Sequence, residues 1–307
     1  MNPRIGLGVS SFAQEDPTPL ELLRRAGAAL VPNPRGRRLN EAEIIDYVTR
    51  ERLDGLLAGL EPLNRRVLTA ARPTLKAIAR VGAGISNVDL AACREFGIRF
   101  SYTPDGPTEA VAEMTLTALL CLARELEPMN RALHAGEWPK RMGRSLSELT
   151  VLVVGYGRIG RRVAALLTTL GCAVVVCDPY LAADHTLALP RVGLLEGLAR
   201  ADVVSIHASG EVTLLGATEF AAAKPGLILL NAARGAAVDE SALIQALDSG
   251  QVAKAWLDCF RQEPYDGPLR NYSQVLLTPH TSSYTRACRG RMETEAVINL
   301  LADLDNP

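Results

Sequence analysis

The chain has 307 residues, 48 % of them apolar, and a formal net charge of −1. That length exceeds one comfortable hydrophobic core, so two domains are expected. The near-neutral charge offers no electrostatic drive toward nucleic acid or a membrane surface, and no run of 18 uninterrupted apolar residues occurs, so a small-molecule partner is expected.

The start, Met1-Asn2-Pro3-Arg4, lacks the apolar stretch of a signal peptide, and a cytoplasmic location is the expectation. Short apolar runs then predict strands at Ile5 to Val9, Ala28 to Val31, Gly55 to Ala58, Lys76 to Ala79 and Ile98 to Ser101. Helices are expected to begin near Pro19, Asn40, Asn64 and Asn87. Such alternation implies a parallel sheet covered on both faces. A long amphipathic run from Thr108 to Ala135 predicts a linking helix pair interrupted at Pro128.

A second alternating series follows. Strands are expected at Val151 to Val154, Ala173 to Cys177, Val203 to Ile206, Leu227 to Leu230, Val252 to Leu257 and Val275 to Leu277. Helices are expected at Gly157 to Leu170 and over Thr281 to Asp303. The six cysteines, at 93, 121, 172, 177, 259 and 288, form no Cys-x-x-Cys pair and lie mostly in apolar segments. They read as buried free thiols rather than disulfides or zinc ligands, and no metal is expected.

The segment Gly155-Tyr156-Gly157-Arg158-Ile159-Gly160 has the context that gives a glycine-rich turn meaning. An apolar strand enters it, a helix leaves it, and Asp178 ends the next strand 18 residues after Gly160. Gly155 would make the tight turn, Gly157 would let the backbone approach a pyrophosphate, and Gly160 would let helix and strand pack closely. Asp178 would accept hydrogen bonds from ribose hydroxyls and repel a 2′-phosphate, which favours NAD over NADP. Arg158, Arg161 and Arg162 act in the opposite sense, as arginines near a ribose accommodate that phosphate.

Downstream lie Arg234 in Asn231-Ala232-Ala233-Arg234-Gly235, Glu263 before Pro264, and His280 in Thr278-Pro279-His280. A guanidinium to hold a carboxylate, an imidazole to move a proton and a carboxylate to orient that imidazole suit hydride transfer to a 2-oxo acid. With Asp258-x-Phe260-x-x-Glu263-Pro264, the 78–90 segment containing Gly82-Ala83-Gly84, Ala110-Val111-Ala112-Glu113 and Gly136-Glu137-Trp138-Pro139, the chain resembles the D-isomer-specific 2-hydroxyacid dehydrogenases, most closely their phosphoglycerate dehydrogenase-like branch.

The resemblance implies two doubly wound parallel-sheet α/β domains. A Rossmann cofactor domain (102–281) is expected to be inserted into a flavodoxin-like substrate domain (1–101 and 282–307), with a homodimer built on the cofactor domain. It also implies NAD as cofactor, Arg234, Glu263 and His280 as catalytic groups, and a D-2-hydroxy acid and its 2-oxo acid as reactants. Gly155, Gly157, Arg158, Ile159, Gly160, Asp178, His207, Ala208, Ala232 and Asp258 would contact the cofactor. Arg80, Gly82, Ala83, Gly84, Arg234, Lys140 and Arg141 would contact substrate. The extra cations, Arg144 among them, favour a small acidic substrate that bears a phosphate or phosphonate. The readings left open are a glyoxylate- or hydroxypyruvate-type reductase, a non-enzymatic NADH-sensing binding protein, and phosphite oxidation on the same scaffold.

Two departures stand out. Ser86 replaces the aspartate usual before Asn87, and Ala208-Ser209-Gly210-Glu211 abbreviates the loop after His207. The 27 residues after His280 are expected to form a closing helix, without the regulatory domain appended in some relatives.

Overall fold

Apolar runs without alternation become strands buried on both faces, and the amphipathic stretches between them become the covering helices. The computed structural model describes residues 2–181 and 188–305. The chain divides into two units, Met1–Pro107 with Tyr284–Pro307, and Thr108–Ser283. The junctions between them fall at 107/108 and 283/284.

In the first unit the chain runs through β1 (Arg4–Leu7), α1 (Thr18–Arg25), β2 (Ala29–Val31), α2 (Glu41–Glu51), β3 (Gly55–Ala58), α3 (Arg65–Ala71), β4 (Ala77–Arg80), α4 (Leu90–Glu95) and β5 (Arg99–Tyr102). The asparagines at 40 and 64 start their helices by accepting hydrogen bonds from the backbone N–H of Glu43 and Val67, and Asn40 forms a full capping box with Glu43. The fourth helix begins two residues later than expected, because Asp89 rather than Asn87 caps it through Ala92 N–H. The strands form one parallel sheet in the order β2-β1-β3-β4-β5. This is the flavodoxin-like winding.

The second unit begins with α5 (Thr108–Ala123) and α6 (Leu126–His134). The break between them falls at Glu125, which adopts a left-handed φ of 56°, and not at Pro128. Pro128 sits in the first turn of α6, where its missing N–H would have had no helical partner. Then come β6 (Thr150–Val154), α7 (Arg158–Thr169), β7 (Ala173–Cys177), α8 (Leu194–Arg200), β8 (Val203–Ile206), α9 (Ala217–Ala222), β9 (Leu227–Asn231), α10 (Glu240–Asp248), β10 (Val252–Leu257) and β11 (Val275–Leu277). The final helix, α11 (Arg286–Asp305), returns to the first unit and packs on β3, β4 and β5.

The second sheet is parallel, ordered β11-β10-β9-β8-β6-β7. A single parallel bridge, Val176 to Arg191, adds a rudimentary edge beside β7. With it the winding is that of a dinucleotide-binding sheet, reversing direction between β6 and β8. Side chains alternate between two cores. Leu152, Val204, Leu229 and Ala255 enter one, and Val151, Val153, Val203, Ile228 and Trp256 enter the other.

Candidate active site

The register of the second sheet places its chemistry along one line. Cys177, Val154, Ile206, Asn231, Leu257 and Leu277 pair side by side across six strands. The residue following each is Asp178, Gly155, His207, Ala232, Asp258 and Thr278. Five of these six are residues singled out from the sequence. They converge because each ends a parallel strand at the same carboxyl edge, where open α/β sheets place their ligands.

The glycine turn is built as the motif requires. Gly155 has a φ of +90°, and a Cβ there would lie 2.5 Å from the Ala208 amide nitrogen. A Cβ on Gly160 would lie 2.0 Å from the Gly155 carbonyl oxygen, so that position admits no side chain. At Gly157 an added Cβ meets nothing within 4 Å. Gly157 also begins α7 without a side-chain cap, so the first N–H groups of that helix, beginning with Arg158 and Ile159, have no side chain placed over them by the cap residue. Open space beside an uncapped helix N-terminus fits a pyrophosphate.

Asp178 accepts hydrogen bonds from Tyr156 N at 2.7 Å and Tyr180 N at 2.9 Å, which fix its carboxylate against the turn. Arg161 lies over the Tyr156 ring and donates to the Tyr156 carbonyl, while Arg162 pairs with Glu109 at 2.8 Å. Two of the three nearby arginines are thus committed elsewhere, and Asp178 fits the ribose of NAD. His207 donates its backbone N–H to the Val154 carbonyl and pairs through Nε2 with Ser205 Oγ at 2.8 Å. Burial pushes its imidazole down to about 4, so it is neutral.

Arg234 is braced by its own loop. The buried Asn231 side chain accepts from Ala233 N and donates to the Arg234 carbonyl, and Arg234 Nη1 donates to the Ala233 carbonyl at 2.7 Å. Next to it, Gly235 packs so closely on the 260–261 backbone that a Cβ would lie 2.0 Å from the Phe260 carbonyl carbon. The arginine loop and the Glu263 loop are therefore held against each other. Glu211, from the abbreviated loop, approaches Arg234 Nε to 3.9 Å.

Glu263 and His280 meet directly. His280 Nδ1 lies 3.0 Å from both carboxylate oxygens of Glu263, and Oε1 also accepts from Phe260 N at 3.1 Å. Cys259 and Glu263, both beside the ring, push the imidazole from 6.5 up to about 10, against the opposing effect of burial. His280 itself has a left-handed φ of 54°. What holds that loop is Asp258, which is buried. It accepts from Thr278 Oγ1, Thr281 N, Ser282 N and Ser282 Oγ at 2.5–2.9 Å, filling the four acceptor directions of a carboxylate. Trp256 Nε1 extends the chain of bonds to Thr278.

The remaining sequence candidates lie apart from this cluster in the chain. In the first unit the Arg80 side chain is buried, with Nη1 donating to the Val81 carbonyl at 2.5 Å over Gly82. The Gly82 N–H donates to Thr103 Oγ1 at 2.7 Å, and Ala83 and Gly84 are half-buried beside it. Lys140 and Arg141 are exposed in the irregular segment after α6. Arg144 is committed to Asp202 at 3.1 Å and to the Glu148 carbonyl.

Sequence reasoning missed three contributors: Cys259 as a neighbour of His280, Glu211 as a neighbour of Arg234, and Ser282 as an anchor for Asp258. Cys259 carried a weak signal, since it sits inside the Asp258-x-Phe260 motif. No spacing rule points to the other two.

The chain matches the family model described as D-isomer specific 2-hydroxyacid dehydrogenase, NAD binding domain, over residues 116–282. It is 39 % identical over 235 residues to a D-3-phosphoglycerate dehydrogenase of Mycobacterium leprae, covering 74 % of this chain and 44 % of that protein. The chain thus spans less than half of that relative's length. Among solved structures, the TT0316 protein of Thermus thermophilus superposes with a TM-score of 0.89 at 36 % identity, covering 98 % of this chain and 97 % of the other. A glyoxylate reductase from Paecilomyes thermophila gives a TM-score of 0.87 at 27 % identity, covering 99 % and 96 %.

Proposed function

The chain belongs to the D-isomer-specific 2-hydroxyacid dehydrogenases, and on that premise we propose that it interconverts a D-2-hydroxy acid and its 2-oxo acid with NAD(H). The observation that carries the reading is the His280–Glu263 pair at 3.0 Å, on the loops that leave β11 and β10, with Arg234 on the loop that leaves β9, the next strand in the same sheet. The 155–160 turn and Asp178 would hold NAD, which when bound would supply or accept the hydride. Arg234 holds the substrate carboxylate and polarises the carbonyl. Glu263 accepts a hydrogen bond from the Nδ1–H of His280, which leaves Nε2 to give its proton to the carbonyl oxygen during reduction and to recover it during oxidation.

The favoured substrate is a small acid bearing a second anionic group, of the 3-phosphoglycerate and 3-phosphohydroxypyruvate type. Support comes from the D-3-phosphoglycerate dehydrogenases among the relatives and from the exposed cations Lys140 and Arg141. One observation favours the plainer glyoxylate- or hydroxypyruvate-type reading, namely that Glu211 places a negative charge beside Arg234. Initial rates of NADH and NADPH consumption across glyoxylate, pyruvate, hydroxypyruvate, 2-oxoglutarate and 3-phosphohydroxypyruvate separate the two. A preference for the phosphorylated acid supports the first and a preference for glyoxylate the second. Silence on every acid despite NADH binding would refute both.

We further infer a homodimer. Its support is a series of exposed apolar side chains on α6 and just after it, namely Leu126, Leu133, Trp138 at 80 % exposure and Met142 at 96 %.

A further inference from the structure

Among the described residues, one group gathers three different metal-binding side chains. The donor atoms of Cys259, Glu263 and His280 all lie within 4.8 Å of one another. The set is a thiol, an imidazole and a single carboxylate, a combination that suits Zn²⁺ and is poor for Mg²⁺ or Ca²⁺. We propose that these three side chains form a Zn²⁺ site with an open fourth position, and that its occupancy blocks catalysis.

The distances are those of a site that closes with small motions. Bonds of about 2.0–2.3 Å at tetrahedral angles set donor atoms roughly 3.3–3.7 Å apart. Glu263 and His280 Nδ1, at 3.0 Å, need to open by a few tenths of an ångström. The sulfur must approach by up to about 1.5 Å from the 4.8 Å limit. Cys259 is buried, whereas the His280 and Glu263 side chains are partly exposed, so an ion reaches the site from the side of those two, and they have the freedom to adjust. The backbone around the site is already fixed by the four bonds to Asp258.

Binding would replace the proton that Glu263 and His280 share at Nδ1 and convert Cys259 to a bound thiolate, releasing the displaced protons to solvent. The ring would then be a neutral ligand without its imidazolium proton, and Glu263 would serve the metal instead of the ring. The metal site stands on geometry alone. Only the block of catalysis rests on the function proposed above.

Co²⁺ tests the site with a readout independent of turnover, because thiolate ligation gives a charge-transfer absorption in the near ultraviolet. Chelator-treated chain titrated with Co²⁺ should show that band, and one equivalent of Zn²⁺ should remove it. Cys259→Ser should lack the band while the other five cysteines remain, and His280→Gln should weaken Co²⁺ binding by at least about tenfold, the lower end seen when even an outer partner of a metal ligand is lost. Absence of the band in the unmodified chain, or its persistence in Cys259→Ser, would overturn the site. In the same samples Zn²⁺ should abolish NADH-dependent turnover, with recovery on adding a chelator. A Cys259-dependent band with turnover unaffected by Zn²⁺ would uphold the metal site and instead remove His280 as the proton donor.

Discussion

Glu211 Oε1 lies 3.9 Å from Arg234 Nε, so the abbreviated loop after His207 places an anion beside the guanidinium assigned to the substrate carboxylate. The loop is held there by its own contacts. Leu214 and Leu215 both donate backbone N–H groups to the Ala237 carbonyl, and Arg261 reaches Thr213. Substrate binding must then displace Glu211 from Arg234. Such an exposed pair is worth about 0.2–1 kcal/mol. Glu211→Gln should therefore lower KM for the 2-oxo acid by about 1.5- to 5-fold, with kcat less affected. The gain should shrink at high ionic strength. An unchanged KM at low salt would mean that the two groups do not compete.

His280→Gln should retain NADH binding, measured by fluorescence titration, and lose roughly 10²- to 10⁴-fold in turnover. Near-normal turnover would show that another group moves the proton.

The pH dependence follows from the same ring. Cys259 and Glu263 beside the ring push His280 to about 10, so the protonated form needed for reduction persists across neutral pH. In metal-free enzyme, kcat/KM for reduction should hold until pH approaches about 10 and then fall, while that for oxidation should rise over the same interval. Removing the partner charge in Glu263→Gln should move both limbs down, toward the ordinary imidazole value. Limbs unmoved by that substitution would assign them to a different group.

Asp258→Asn keeps the shape of a side chain that accepts four hydrogen bonds but removes its charge and turns one acceptor into a donor. Hydrogen bonds to charged groups contribute about 1.5–3 kcal/mol each. The midpoint of thermal unfolding should fall by several degrees, and turnover should fall further than NADH affinity, because the loop carrying His280 loses its anchor. An unchanged midpoint would contradict that role.

Two glycines of one turn should respond in opposite ways. Gly157→Ser meets nothing within 4 Å and supplies a favoured helix cap, so stability should hold or rise while NADH binding weakens. Gly160→Ala drives a methyl into the Gly155 carbonyl and should lower the unfolding midpoint directly. Equal NADH affinity in Gly157→Ser and the parent chain would contradict the assignment of that space to a pyrophosphate.

What the sequence determined by itself was whatever depends on neighbours along the chain. The uninterrupted apolar runs at 55–58, 151–154 and 227–230, in β3, β6 and β9, marked parallel strands, because both faces of such strands are buried. Asn40 and Asn64 marked helix starts because a cap acts within one turn. Gly155, Gly157 and Gly160 marked a tight strand-to-helix turn, and Asp178 the end of the next strand, because the strand, turn and helix that give them meaning are contiguous. Pro128 misled for the same local reason, since its effect depends on its place in a helix, and the helix start at Glu125 was not visible.

Tertiary structure alone decided which side chains meet. Arg234, Cys259 with Glu263, and His280 follow β9, β10 and β11, and those strands stand side by side with Asn231, Leu257 and Leu277 in one register row. That row brings Cys259 to His280, 21 residues away, and Ser282 to Asp258, 24 residues away. The partners sit on separate loops, so no periodicity of a single helix or strand encodes the contact. It exists because parallel strands bring all their carboxyl ends to one edge, and the reach of each loop from that edge sets which groups touch.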